Sequence, residues 1–184
     1  MSLKYALLGF LNYQERSGYD LKQLMDLSTA NFWHAKQSQI YTTLKKLETD
    51  ELVISHVEPQ ESRPNRRVYE ITETGQATLG EWLAKPLMVI EPRKETLLLK
   101  LFFSAQLKPE TILTELRLQR NLHQADLEKY QTTTKDVIRQ FGTSTDMADD
   151  ARLWETTRRY GELYEEMYVL WLDETIKVME RWGE

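Results

Sequence analysis

The sequence predicts a mainly α-helical protein: an N-terminal winged helix-turn-helix domain with a two-stranded wing, followed by a C-terminal helical dimerisation domain. Three observations carry that expectation. Residues 1–84 hold three amphipathic helical patterns, two short strand-like runs and a fourth helix. The third helix, in QSQIYTTLKKL, sets hydroxyls, amides and two lysines opposite an apolar stripe. The strand-like runs are separated by a loop rich in arginine, proline and asparagine.

Leu3, Leu7, Leu8 and Leu11 recur at the spacing of one helical face and predict the first helix. Ser17-Gly18 punctuates the chain, and Leu21, Leu24 and Met25 mark a second helix. Residues 28–35 read as a connector in which Phe32 and Trp33 plug the core. The third helix is expected to start at Ser38, a suitable N-cap, and to run to about Asp50. At 100° per residue Ile40, Leu44 and Leu47 form its inward stripe, while Ser38, Thr42, Lys45 and Thr49 point outward.

Residues 52–57 predict a strand with Leu52 and Ile54 on one face, and residues 68–72 another with Tyr69 and Ile71 on one face. Residues 58–67, with two prolines, Asn65 and three arginines, form the loop between them. A fourth helix opens at residues 72–75 and continues through Trp82 and Leu83. Pro86 and Pro92 bracket a linker, 85–93, ahead of the helical domain, 94–184. There, helices are expected over 95–106, 109–141 and 149–182, with Pro109 in a first turn and a break at Gly142 and residues 143–145.

Composition excludes several classes of function. The 184 residues include no cysteine, so disulfides, thiolate catalysis and cysteine-ligated metals are out. The longest apolar run, 97–107, is broken by Lys100 and falls short of the roughly 18–20 residues that span a membrane. No export signal opens the chain, so the expected location is cytoplasmic. The net charge is −5, shared between −2 for residues 1–83 (nine Lys+Arg, eleven Asp+Glu) and −3 for the remainder (fifteen and eighteen). Neither half is basic, so contact with nucleic acid has to come from local clusters.

Two such clusters exist. Lys45 and Lys46 lie on the outward side of the third helix, where lysine can bond guanine edges or neutralise phosphate. Ser38, Gln39 and Thr42 can reach bases or phosphates, and Lys36 precedes the helix at phosphate height. Tyr41 borders the apolar stripe, and phosphate contact and packing fit it equally well. Arg63, Arg66 and Arg67 form the wing cluster, Arg66 and Arg67 being the stronger candidates because Glu58 and Glu61 temper the rest. The bland readings are a solvated lysine pair and a decorated loop.

No nucleophile elbow, phosphate loop, zinc motif or dinucleotide fingerprint occurs, and His34 and His123 have no partner at metal-ligand spacing. Catalytic residues, metals and cofactors are therefore not expected. The last helix repeats Leu153, Tyr160, Tyr164, Met167, Tyr168, Trp171 and Val178, too apolar a seam for a solvated helix and one that suits a second subunit. Phe102, Phe103 and Trp154 are candidate walls of an effector pocket.

The chain resembles the PadR-like transcriptional regulators of the short form with a helical C-terminal domain. The likeness runs through ALLGFLNYQERSGYDLKQLM, with Gly18-Tyr19-Asp20-Leu21 opening the second helix, then FWHAKQSQIYTTLKKLETDELV and RRVYEITETGQATLGEWL. Many members carry proline or another residue where Thr42 stands, a change that leaves the helix intact. The resemblance implies a homodimeric repressor on a pseudo-palindromic double-stranded operator, released by a small, in several members phenolic, ligand. The competing readings are a winged domain that binds protein rather than DNA, and an enzyme of unknown type in the C-terminal half.

Overall fold

The computed structural model describes residues 2–29, 32–59, 65–90, 94–144 and 146–182. They form two compact units, 1–91 and 92–184. The first contains α1 (Ser2–Tyr13), β1 (Arg16–Ser17), α2 (Gly18–Ser28), α3 (Gln37–Thr49), β2 (Val53–Glu58), β3 (Arg66–Ile71) and α4 (Glu73–Ala84). The second contains α5 (Thr96–Phe102), a 3-10 turn (Ser104–Gln106), α6 (Pro109–Lys129), a π-helical segment (Tyr130–Thr134), α7 (Lys135–Ser144) and α8 (Ala148–Trp182).

The apolar periodicity builds the first core as the spacing predicts. Leu7, Leu8 and Leu11 of α1, Leu21 and Met25 of α2, and Ile40, Leu44 and Leu47 of α3 are all buried in one cluster with Leu52, Val53, Tyr69 and Leu79. Ser17 caps α2 reciprocally with Asp20: its hydroxyl accepts from Asp20 N, and its own N–H donates to the Asp20 carboxylate.

Four local expectations are corrected. The N-cap of α3 is Lys36, two residues before the expected cap at Ser38, because the Gln39 amide oxygen turns back to accept from Lys36 N at 2.8 Å. In β2 the buried residue is Val53, and Ile54 is 55% exposed. Leu52 is buried too, but in the turn before the strand, which puts the alternation one residue out of phase. Phe32 is 49% exposed rather than a core plug, and only Trp33 of that pair packs against the cluster. The wing also gains a third strand, since Arg16 and Ser17 pair antiparallel with Tyr69 and Val68, giving the order β1-β3-β2. Two residues carry too little periodicity to show as a strand in sequence.

The corner from α3 into β2 is a Schellman motif. Leu52 N donates to Leu47 O at 2.9 Å and Glu51 N to Glu48 O at 3.1 Å, with Leu47 and Leu52 buried together. Glu51 occupies the left-handed position, φ 57°, where glycine is usual. α4 locks onto this corner. Thr72 donates its N–H to Leu52 O (3.1 Å) and its hydroxyl to Glu51 O (2.8 Å), and its hydroxyl oxygen accepts from Gly75 N (3.0 Å). A Cβ on Gly75 would stand 2.1 Å from Leu52 O, so the helix can approach only with glycine there.

In the second unit α6 and α8 run antiparallel, as the pairs across them record: Arg117 with Glu180, Arg120 with Asp173, and His123 hydrogen-bonded to Glu165. Leu97, Ile112, Leu116, Tyr168, Leu172 and Met179 form the core between α5, α6 and α8. The expected helix 95–106 is shorter, ending at Phe102 before the 3-10 turn. The expected helix 109–141 is interrupted by the π segment and extends to Ser144. Buried Arg158 of α8 meets that irregularity, donating to Tyr130 O at 2.8 Å while pairing with Glu155 (2.7 Å) and Glu162 (2.9 Å).

Two substitutions at the corner should move stability in opposite directions. Glu51→Gly relieves the left-handed strain and is expected to stabilise by about 1 kcal/mol. Gly75→Ala forces α4 off the Leu52 carbonyl and is expected to cost about 1–3 kcal/mol. Urea unfolding of the two variants beside the parent chain measures both.

Candidate nucleic-acid interface

The outward side of α3 is a continuous polar face. Ser38, Gln39, Tyr41, Thr42, Lys45, Lys46 and Thr49 are all exposed, opposite buried Ile40, Leu44 and Leu47. Its two threonine hydroxyls donate into the helix: Thr42 to Ser38 O (2.9 Å) and Thr49 to Lys45 O (3.0 Å). Thr42 therefore offers a methyl group and an oxygen acceptor outward. Gln39 uses its oxygen on the Lys36 N–H, which leaves its NH2 as a donor. Lys36, exposed just before the helix, and the two lysines add cations that form no ion pair among the described residues.

Tyr41 does more than border the stripe. Its ring lies over the start of α2, so closely that a Cβ on Gly18 would be 2.6 Å from it. That contact accounts for glycine at Gly18, yet the ring stays 43% exposed.

The wing arginines are placed differently. Arg63 lies outside the described residues. Arg66 on β3 pairs with Asp20 of α2 and, at 3.6 Å, with Glu58 of β2. Arg67 reaches Glu48 of α3, its Nη2 donating to both carboxylate oxygens at 2.8 Å. The Ser55 hydroxyl holds Glu48 below its ordinary pKa against a smaller opposing effect of burial, and Arg67 adds to the lowering. Burial pushes the Asp20 carboxyl up, but hydrogen bonds from Ser17 and Arg66 outweigh it and leave it below the usual value. Glu48, Ser55 and Asp20 were not among the sequence candidates. Only their positions across three separate elements bring them to the arginines. On the outer surface of the sheet, exposed Glu15 and His56 and half-buried Glu58 bring one potential ligand atom each within 4.8 Å of one another.

The second unit has an open groove of about 930 Å³ lined by Lys94, Glu95, Thr96, Leu98, Leu99, Phe102, Tyr164, Met167, Tyr168 and Trp171. Tyr164 donates to Glu95 at its rim (3.0 Å). Of the three effector candidates Phe102 lines this groove, whereas Phe103 stands edge-on to Phe102 and Trp154 packs edge-on to Phe141 on α7.

Two family models match the chain: the transcriptional regulator PadR-like family over residues 7–81, and the virulence activator alpha C-terminal family over residues 93–180. The negative transcriptional regulator PadR of Bacillus subtilis is 27% identical over 179 residues, 97% of this chain and 98% of its own. The crystal structure of that protein with operator DNA superposes with a TM-score of 0.79 at 27% identity, covering 97% of this chain and 99% of the other. Its complex with p-coumaric acid gives 0.72 at 26% identity over 98% and 99%. Residues 7–81 are a PadR-like family domain. The chain is a PadR-type transcriptional regulator, with the family's winged-helix fold and helical C-terminal domain.

In this PadR-like chain the seam on α8 divides into two faces. Tyr168 is buried and Tyr164 and Trp171 are half-buried, all three packing into the second core, whereas Leu153, Tyr160, Met167 and Val178 are exposed. Exposed Leu163 and Leu170 extend the outer stripe. Beneath the groove, His123 stacks on Tyr168 with ring centroids 3.8 Å apart and bonds Glu165 at 2.5 Å. Burial pushes the Glu165 carboxyl up, and the bond to His123 opposes the rise only in part. No helix among the described residues is long and apolar enough to cross a membrane.

Burial, with the charges of Glu165 and Asp126, pushes the Tyr130 phenol from 10.0 up to about 12. A folded pKa above the unfolded one stabilises fully below the unfolded value and is lost as pH rises through the folded value. Stability should therefore decline between pH 10.0 and about 12, and Tyr130→Phe should flatten part of that decline. Denaturant unfolding across this range tests it, and an unchanged slope contradicts the assignment.

Proposed function

We propose that this PadR-like regulator is a homodimeric repressor of transcription, acting in the cytoplasm on a pseudo-palindromic double-stranded operator. Each protomer sets α3 in a major groove, with Lys45, Lys46, Gln39, Ser38 and Thr42 facing base edges and phosphates, and Lys36 and Tyr41 facing the backbone. The observation that carries this reading is the α3 face itself: exposed donors, acceptors and unpaired lysines on a helix whose other side is locked into the core. The structure of Bacillus subtilis PadR with operator DNA supports it. Two-fold symmetry places the half-sites about one helical turn, or a multiple, apart.

The outer α8 stripe of Leu153, Tyr160, Met167 and Val178 supports dimerisation through the second unit, because so long an apolar face is costly to leave in water. The groove supports a small aromatic effector. Phe102, Tyr168 and Trp171 supply apolar and stacking walls, and Lys94 a cation for an acidic group. The structure of Bacillus subtilis PadR with p-coumaric acid points to the same ligand class. Such a ligand releases operator only through different affinities for the DNA-bound and free arrangements.

Lys45→Ala is expected to weaken operator binding while leaving the dimer intact. Phosphate contact flattens the salt dependence by about 0.9 in log–log slope, whereas base contact relaxes sequence preference. Fluorescence anisotropy over a salt series separates the two, and unchanged affinity and specificity would remove Lys45 from the interface. Light scattering is expected to give about twice the 21.8 kDa chain mass. Leu170→Lys, on the exposed α8 stripe, is expected to shift the protein toward the single-chain mass, and a variant that stays dimeric places the interface elsewhere.

A further inference from the structure

We infer that Arg67 is a positioning residue that fixes the wing to the recognition helix, and not a contact to phosphate. The inference rests on the DNA-binding reading above. Glu48 comes from α3, Ser55 from β2 and Arg67 from β3, so one cluster joins the three elements that would touch DNA.

Every polar link within it is short. The Ser55 hydroxyl donates to Glu48 Oε1 at 2.5 Å, Arg67 Nε donates to the Ser55 oxygen at 2.8 Å, and Arg67 Nη2 bridges both Glu48 oxygens at 2.8 Å. Strand geometry explains the direction. Arg67 and Tyr69 are two residues apart and share a face of β3. Tyr69 is buried in the core, and the Arg67 guanidinium sits 5.6 Å over its ring. The side chain therefore turns back toward the helices rather than along the wing. Its planar fork reaches two acceptors at once, Nε the Ser55 oxygen and Nη2 the Glu48 carboxylate, which a lysine could not do in the same way. Exposed pairs contribute little to stability. Here a small energy sets the angle between wing and helix, and a mis-set angle moves a contacting atom out of hydrogen-bond reach.

Glu48→Gln separates the two roles by sign. If Arg67 positions the wing, loss of the Glu48 charge loosens it and binding to DNA weakens by about two- to five-fold. If Arg67 contacts phosphate, the same change frees its guanidinium and tightens binding. The measurement is anisotropy on a duplex that the wild-type chain has selected from random DNA, over a salt series.

The clamp predicts weaker binding for Glu48→Gln and Arg67→Ala, no further loss in the double variant, and an unchanged salt slope throughout. Ser55→Ala, which removes only the bridging hydroxyl, should weaken binding in the same direction. Tighter or unchanged binding by Glu48→Gln, or a slope flattened by about 0.9 in Arg67→Ala, overturns the clamp while the DNA-binding reading stands. A wild-type chain that selects no duplex overturns that reading itself, and the clamp with it.

Discussion

The rest of the winged unit depends on how the chain leaves α3. At Glu51 the backbone enters the left-handed region, and Leu52 returns its N–H to Leu47 O, so the helix ends abruptly with two leucines buried side by side. The freed Leu52 carbonyl then takes the Thr72 N–H, and Gly75 packs against it. One residue, Leu52, thus ties together the end of α3, the start of β2 and the cap of α4. Glutamate tolerates the left-handed conformation poorly, and it persists because the hydrogen bonds and leucine contacts around it over-determine the turn.

Much of this was legible in sequence because it rests on periodicity. The stripe Ile40, Leu44 and Leu47 needs only a 3.6-residue repeat, and its polar complement follows by subtraction. The start of α3 was misread because a serine two residues late has better cap chemistry than lysine. The actual device is a glutamine reaching backward, which no local preference announces. The phase of β2 was missed for a related reason: the Schellman turn buries Leu52 outside the strand, so an apolar residue off the sheet imitates one on it. The ion pairs of Arg66 and Arg67 span 46 and 19 residues and were invisible without the fold.

The second unit shows the same division. That α8 carries apolar residues in excess is plain from composition, but which of them serve the protomer's own core depends on the neighbour that α6 provides. Tyr168 and Leu172 turn inward, while Met167, next to Tyr168, and Leu170, two residues before Leu172, face out. Arg158 is the least expected participant. A cationic side chain is buried among its own helix's carboxylates because the π segment of the facing helix presents a carbonyl to it. Hydrogen bonds to Glu155 and Glu162, with their charges, hold the Arg158 guanidinium well above its ordinary pKa despite the burial.

Electrostatics ties the α3 face to the rest of the chain. With a net charge of −5, the protein as a whole is repelled by duplex DNA, and in the proposed complex Lys36, Lys45 and Lys46 supply attraction at close range. Arg66 and Arg67 are held by Asp20, Glu58 and Glu48, so they add little net positive field at the wing. A field of that form orients more than it attracts: approaches with α3 turned away meet repulsion, and those with α3 leading meet a compensated patch. Few neutralised phosphates mean little non-specific affinity. On the proposed placement of α3, a larger share of binding then falls to base-edge contacts, which favours a selective regulator over one that coats DNA.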